Sequence, residues 1–287
     1  MKKNWCYYLL PVVLMLAIPF QTAADDFLRG DCNQDGNVSI ADVTCLIDYL
    51  LSQQWPEDQP SEPENVTFVV NGIEINMVRV EGGTFTMGAS GADTEAADDE
   101  FPAHILTVND YYICTTEVTQ QLWRAVMGNN PSNFTNNVLC PVEMVSWNDC
   151  KTFITKLNAM TGQTFRLPTE AEWEFAARGG NKSQGYKYSG SNNHYSVAWC
   201  GGIAKTQQVA TKSPNELGLY DMSGNVWEWC SDWYSLYNAT TSGLYRVRRG
   251  GSYSGSATYC RVSSREKSFP ESSYNNVGLR LAMSYPN

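Results

Sequence analysis

Oxygen ligands for a hard cation are concentrated in two stretches of the 287-residue sequence. The first is Gly30–Asp42, GDCNQDGNVSIAD. Taken as a twelve-residue loop from Asp31, it sets oxygen-bearing side chains at positions 1, 3, 5, 9 and 12, namely Asp31, Asn33, Asp35, Ser39 and Asp42. Gly36 stands at the sharp turn and Asn37 adds its carbonyl, which is the ligand pattern of a calcium loop. The second stretch is Gly218–Tyr234, GLYDMSGNVWEWCSDWY, where Asp221 and Glu228 supply carboxylates and Gly224 and Val226 can add carbonyls. Calcium takes such oxygens at about 2.4 Å. The same stretch also reads as an aromatic core segment around Trp227, Trp229 and Trp233, with its acids simply hydrogen-bonded. A third stretch, Gly250–Arg265, carries Ser252 and Cys260, the weak candidates for catalysis. A thiol nucleophile needs an activating base, and no histidine lies near Cys260 in sequence, so half of a disulfide is the plainer reading.

The bulk properties narrow the setting. A formal charge of −10 with no run of Lys or Arg argues against nucleic acid and suits calcium or cationic partners. Lys2 and Lys3 precede an apolar stretch, Tyr7–Phe20, and the small residues Thr22-Ala23-Ala24, so residues 1–24 read as a secretory signal peptide. A secreted or surface-associated protein is expected, with the periplasm as one location. Cys6 leaves with that peptide, and the eight remaining cysteines suggest disulfides, with Cys32–Cys45 and Cys230–Cys260 as the expected pairs. The lack of C-x-x-C and the presence of only two histidines argue against zinc or histidine-bound iron.

Several elements must position these residues. Residues 25–52 form a calcium loop followed by a helix, Ala41–Leu51, with Val43, Leu46, Ile47 and Leu50 at helical spacing. The Pro- and acid-rich residues 53–65 form a linker, and a larger domain spans 66–287. Val66–Val70 and Ile73–Val80 alternate as strands around an Asn71-Gly72 hairpin turn, and Gly82–Gly88 continues as a strand. Asp93–Glu100 reads as a solvated surface loop, and His104 as structural. Helices follow at Gln120–Met127 capped by Thr119, Trp147–Met160 capped by Ser146 with Asp149, and Glu170–Arg178 capped by Thr169 with Glu172. Beyond Asn181 no regular pattern stands out.

Two resemblances extend this reading. Residues 30–51 resemble one dockerin repeat. Dockerins carry two, so cohesin binding does not carry over, and the module is either a calcium-dependent docking site for a protein partner or a calcium-stabilised cap. Met87-Gly88, Glu117-Val-Thr, Val145-Ser-Trp147, Arg166–Arg178 (RLPTEAEWEFAAR), Gly218–Trp229 and Arg249-Gly-Gly-Ser252 occur in the order found in the formylglycine-generating enzyme (sulfatase-modifying factor) family. Residues 66–287 resemble that family, which implies an α+β fold, a C-type-lectin-like variant with much irregular backbone. The resemblance also implies a calcium site at Asp221, Gly224, Val226 and Glu228. Active members oxidise a sulfatase cysteine to formylglycine with oxygen and copper(I) held by two thiolates, as a soft ion requires. In this sequence the matching loop is shorter and holds one cysteine, Cys260, so copper is not expected. The expected function is therefore a calcium-stabilised binding or scaffolding protein for a protein, peptide or glycan. The alternative is a formylglycine-generating or other oxygen-dependent oxidase with a relocated metal site.

Overall fold

Alternation of apolar and polar residues drives the first hairpin. Asn65–Val70 (β1) pairs antiparallel with Ile73–Val80 (β2), and Ile75, Met77 and Val80 of β2 turn inward. Asn71 (φ 50°) and Gly72 (φ 79°) make the two-residue turn, whose left-handed backbone matches the twist of the strands. The computed structural model describes residues 65–237 and 243–285, together with Val43. The loop expected at Asp31–Asp42, the helix after it and the Cys32–Cys45 pairing lie outside the described residues.

Gly83–Met87 (β3) pairs with His104–Val108 (β4), and Tyr111–Cys114 (β5) is buried along its whole length. Three α-helices follow where capping residues start them: Gln120–Met127 (α1), Trp147–Thr161 (α2) and Glu170–Ala177 (α3). Thr119, Ser146 and Thr169 each accept a backbone N–H of the first turn, and α2 and α3 complete the reciprocal bond through Asp149 and Glu172. Phe165–Arg166 (β6) precedes α3, and a short helix, His194–Val197 (α4), sits in the irregular stretch beyond it. Side-chain bonds organise that stretch: Asn215 accepts from the N–H groups of Leu217 and Leu219 and donates to the Ala176 carbonyl.

Trp227–Trp233 (β7), Arg246–Arg249 (β8), Arg265–Ser268 (β9), Val277–Gly278 (β10) and Ala282–Ser284 (β11) complete the chain. The larger sheet runs β1-β2-β5-β11-β6 and the second β10-β7-β8-β9, with β10 parallel to β7. One core cluster joins the larger sheet to α1 and α2 through Met77, Tyr112, Trp123, Phe153, Leu157 and Trp229. A second surrounds α3 with Trp173, Phe175, Cys230 and Val247.

Two expectations change. Trp233 is 45 % exposed, its ring covered by the Arg246 guanidinium at 3.5 Å. The acidic stretch is not simply solvated: Glu100 is buried and, with Asp93, holds the buried Arg261 through bonds of 2.5 to 2.8 Å. A buried guanidinium requires such partners, because an uncompensated charge there would be costly.

Candidate functional site

The motifs that are far apart in sequence interlock on α3. Glu170 accepts from Arg265 at 2.6 and 2.8 Å, Glu172 from Arg166 at 2.7 Å, and Glu174 from both Arg249 and Arg178. Trp173, between them, donates its indole N–H to Glu228 at 2.7 Å. Buried pairs of this kind fix one arrangement, since displacing any partner strands a charge. The loop after β8 and the start of β7 are thereby held against the same helix.

At the β7 end the chain bends through Asp221 (φ 57°), Gly224 (φ 88°) and Asn225 (φ 56°). Gly224 is required by contact as well as by φ, for a Cβ there would meet the Trp199 carbonyl at 2.4 Å. Asp221 is buried; its Oδ2 accepts the Ala210 N–H at 2.7 Å, while Oδ1 has no partner. Burial raises its pKa to about 6. Glu117 reaches the same bend, where its Oε2 accepts from Asn225 Nδ2 at 3.5 Å while Oε1 is buried and unpartnered. Burial and then the charges of Asp221 and Glu228 push Glu117 well above the usual carboxylate range.

Glu228, expected as a calcium ligand, has both oxygens occupied: Arg280 donates to Oε1 at 2.7 Å and to Oε2 at 3.0 Å, and Trp173 also binds Oε2. The structure thus brings Asp221 and Glu228 into one charged cluster but gives them different partners. Glu117, which sequence reading quoted only as part of a motif, supplies the second orphaned oxygen. Its distance from Asp221 along the chain left no local signal. Among the described residues no three His, Cys, Asp or Glu side chains gather around one point. A cation beside Asp221 would therefore draw on Asp221 Oδ1, on Glu117 and on backbone carbonyls, a donor set suited to calcium.

The second region is the turn after β8. Gly250 (φ 97°) and Gly251 (φ 75°) lead into Ser252, whose buried hydroxyl lies 3.3 Å from that of Ser254 and accepts from Asn276 Nδ2 at 3.4 Å. Cys260 closes a short 3₁₀ turn, Ala257–Cys260, and points inward. The expected Cys230–Cys260 disulfide is not formed. Cys230 lies on β7 in the core around Trp173, whereas Cys260 sits with Tyr188, Val197, Ala198 and Cys200. Cys114, Cys140, Cys150, Cys200, Cys230 and Cys260 are all free thiols. The loop carries one sulfur, as read, but the neighbouring segment supplies another, because Cys200 packs against the cluster that holds Cys260.

The outer face of the same turn opens onto a cleft of about 410 Å³ bordered by Glu95, Asp99, Ser256, Thr258, Tyr259 and Glu266. That volume is within the range of small-ligand sites.

Comparison with known proteins agrees with this arrangement. The model of the family "Sulfatase-modifying factor enzyme 1-like domain" matches residues 69–285. The chaperone protein LppX of Paenibacillus barcinonensis is 33 % identical, over 74 % of this chain and 90 % of its own. The formylglycine-generating enzyme of Mus musculus is 31 % identical over 72 % and 74 %, and the inactive C-alpha-formylglycine-generating enzyme 2 of Bos taurus 30 % identical over 81 % and 92 %. Among solved structures, Treponema denticola variable protein 1 superposes with a TM-score of 0.70 at 32 % identity, covering 78 % of this chain and all of that one. With the fold, the interlocked motifs and the family match in agreement, the chain belongs to the sulfatase-modifying factor family.

Proposed function

We propose that this protein is a binding or scaffolding member of the family, non-catalytic towards formylglycine formation, secreted or held at the cell surface and stabilised by calcium. One observation carries the reading: the turn after β8 directs Cys260 into the interior and presents Ser256, Thr258 and Tyr259 to the cleft. Hydroxyls and carboxylates around a cleft bind a polar ligand, such as a peptide or a glycan. Soft-metal oxidation needs sulfur at the open face. The similarity to a relative named as inactive supports the same reading. The test is incubation of the protein with copper(I), oxygen and a peptide carrying a sulfatase-type cysteine motif. No formylglycine should form, and conversion of the peptide would overturn the proposal.

Calcium is proposed at Asp221 with the carbonyls of Gly224 and Val226, where the orphaned oxygens of Asp221 and Glu117 favour a cation. It is proposed independently at Asp31, Asn33, Asp35, Asn37, Ser39 and Asp42, whose spacing supports it. There, residues 25–52 would serve either as a calcium-dependent contact for a protein partner or as a cap. The rival reading, an oxygen-dependent oxidase with a relocated metal site, gains support from Cys200, which packs in the cluster of Cys260. Stoichiometric copper(I) uptake that is lost in Cys260→Ser, together with turnover of the peptide, would favour it.

A further inference from the structure

Cys200 and Cys260 are far apart in sequence, and the backbone brings them together. The Gly201 N–H donates to the Gly255 carbonyl at 2.7 Å, and that of Ile203 to the Tyr253 carbonyl at 3.0 Å, so the strip after Trp199 runs alongside the turn that carries Cys260. The Ser223 hydroxyl fixes the Cys260 carbonyl at 2.7 Å. Gly251 leaves room for the sulfur, since a Cβ there would come within 2.6 Å of Cys260 Sγ. The two residues pack in one cluster but differ in access: Cys260 is buried, and Cys200 is partly exposed. The Lys212 ammonium lies 4.1 Å from the ring of the adjoining Trp199.

We propose that Cys200 and Cys260 form a thiol–disulfide exchange site whose substrates are organic disulfides, with Cys200 as the attacking thiol and Cys260 as the resolving one. The Cys200 thiolate attacks one sulfur of the substrate. The substrate S–S bond breaks, its electron pair leaves on the second sulfur, and that thiolate takes a proton from water. Cys260 then loses its proton to water and attacks the Cys200 sulfur, breaking the mixed disulfide and releasing the second substrate thiol. The dithiol gives up two electrons and the substrate disulfide gains them. The electrostatics agree. The neighbouring Cys260 thiol, and further the Lys212 charge, hold the Cys200 thiol below its ordinary range, while the neighbouring Cys200 and burial raise Cys260. Cys114, Cys150 and Cys230 are pushed up by burial, Cys114 to about 12, and are expected to be inert.

The competing use of the pair is a permanent structural disulfide, and the experiment separates the two. Reduced full-length protein is equilibrated with oxidised and reduced glutathione at graded ratios, and its disulfides are mapped by mass spectrometry. A Cys200–Cys260 link that forms and reverses with the ratio is expected. Cys260→Ser should accumulate one glutathione on Cys200, and iodoacetamide should label native Cys200 about tenfold or more faster than Cys114, Cys150 or Cys230. A link that no glutathione ratio reverses, or the absence of any link, overturns the proposal. So does labelling of wild-type Cys200 no faster than of the buried cysteines, a readout that stands even if Cys260→Ser does not fold.

Discussion

Asp221 and Glu228 sit in one segment, and the structure gives them opposite circumstances. Arg280 compensates Glu228, and both side chains are fully buried. Removing the cation while keeping the bulk, as in Arg280→Met, strands the carboxylate and should cost about 3–5 kcal/mol in urea unfolding. Asp221 has no cation bonded to it, and its pKa is raised to about 6 from 3.8. The folded state therefore holds that proton more tightly than the unfolded chain does. Without metal, the Asp221 contribution is fully present below about pH 4 and is lost as pH rises to about 6. A cation requires the deprotonated form, so the calcium-dependent rise in melting temperature should shrink as pH falls through about 6, and Asp221→Asn should remove most of that dependence. Calorimetry with calcium and with chelator, at several pH values, checks both. The oxygen-donor character of these residues was legible in the sequence. Which of them Arg280 would claim was not, since the guanidinium arrives from 52 residues away.

At the scale of elements, caps and turns were the legible part because their chemistry is local. The Thr169 hydroxyl accepts the Glu172 N–H at 3.1 Å, and Glu172 accepts the Thr169 N–H at 2.8 Å. Thr169→Ala should cost about 1 kcal/mol of stability in chemical denaturation. Two glycines of the irregular segment give a sharper contrast. Gly218 (φ 79°) has open space around it, so Gly218→Ala carries the left-handed backbone cost alone, about 1–2 kcal/mol. In Gly224→Ala the new Cβ also meets the Trp199 backbone, whose carbonyl is held by the Asn225 N–H at 2.8 Å, so a markedly larger loss is expected. Similar losses for the two variants in urea would contradict this account. The segment between α3 and β7 was opaque to sequence reading because its order comes from side chains such as Asn215 bonding to distant backbone. No periodicity records such bonds. The expected Cys230–Cys260 pair failed for a related reason: spacing along the chain does not show that β7 faces the core around Trp173.

For the whole molecule, the net charge of −10 and the two separate oxygen-rich segments favour the proposed calcium, which would stabilise the fold by binding it. Chelator should lower the melting temperature of the full chain. Asp35→Ala and Asp221→Ala should each remove part of that shift, and the double variant should remove the sum of the two. An unchanged transition in chelator would end the calcium proposal at both places. The placement of β11 has a consequence for how the molecule is made. It is the last strand in chain order, yet it lies inside the larger sheet, pairing with β5 on one side and β6 on the other. A chain truncated before Ala282 leaves those neighbours without a shared edge and should be protease-sensitive, so folding waits on this strand.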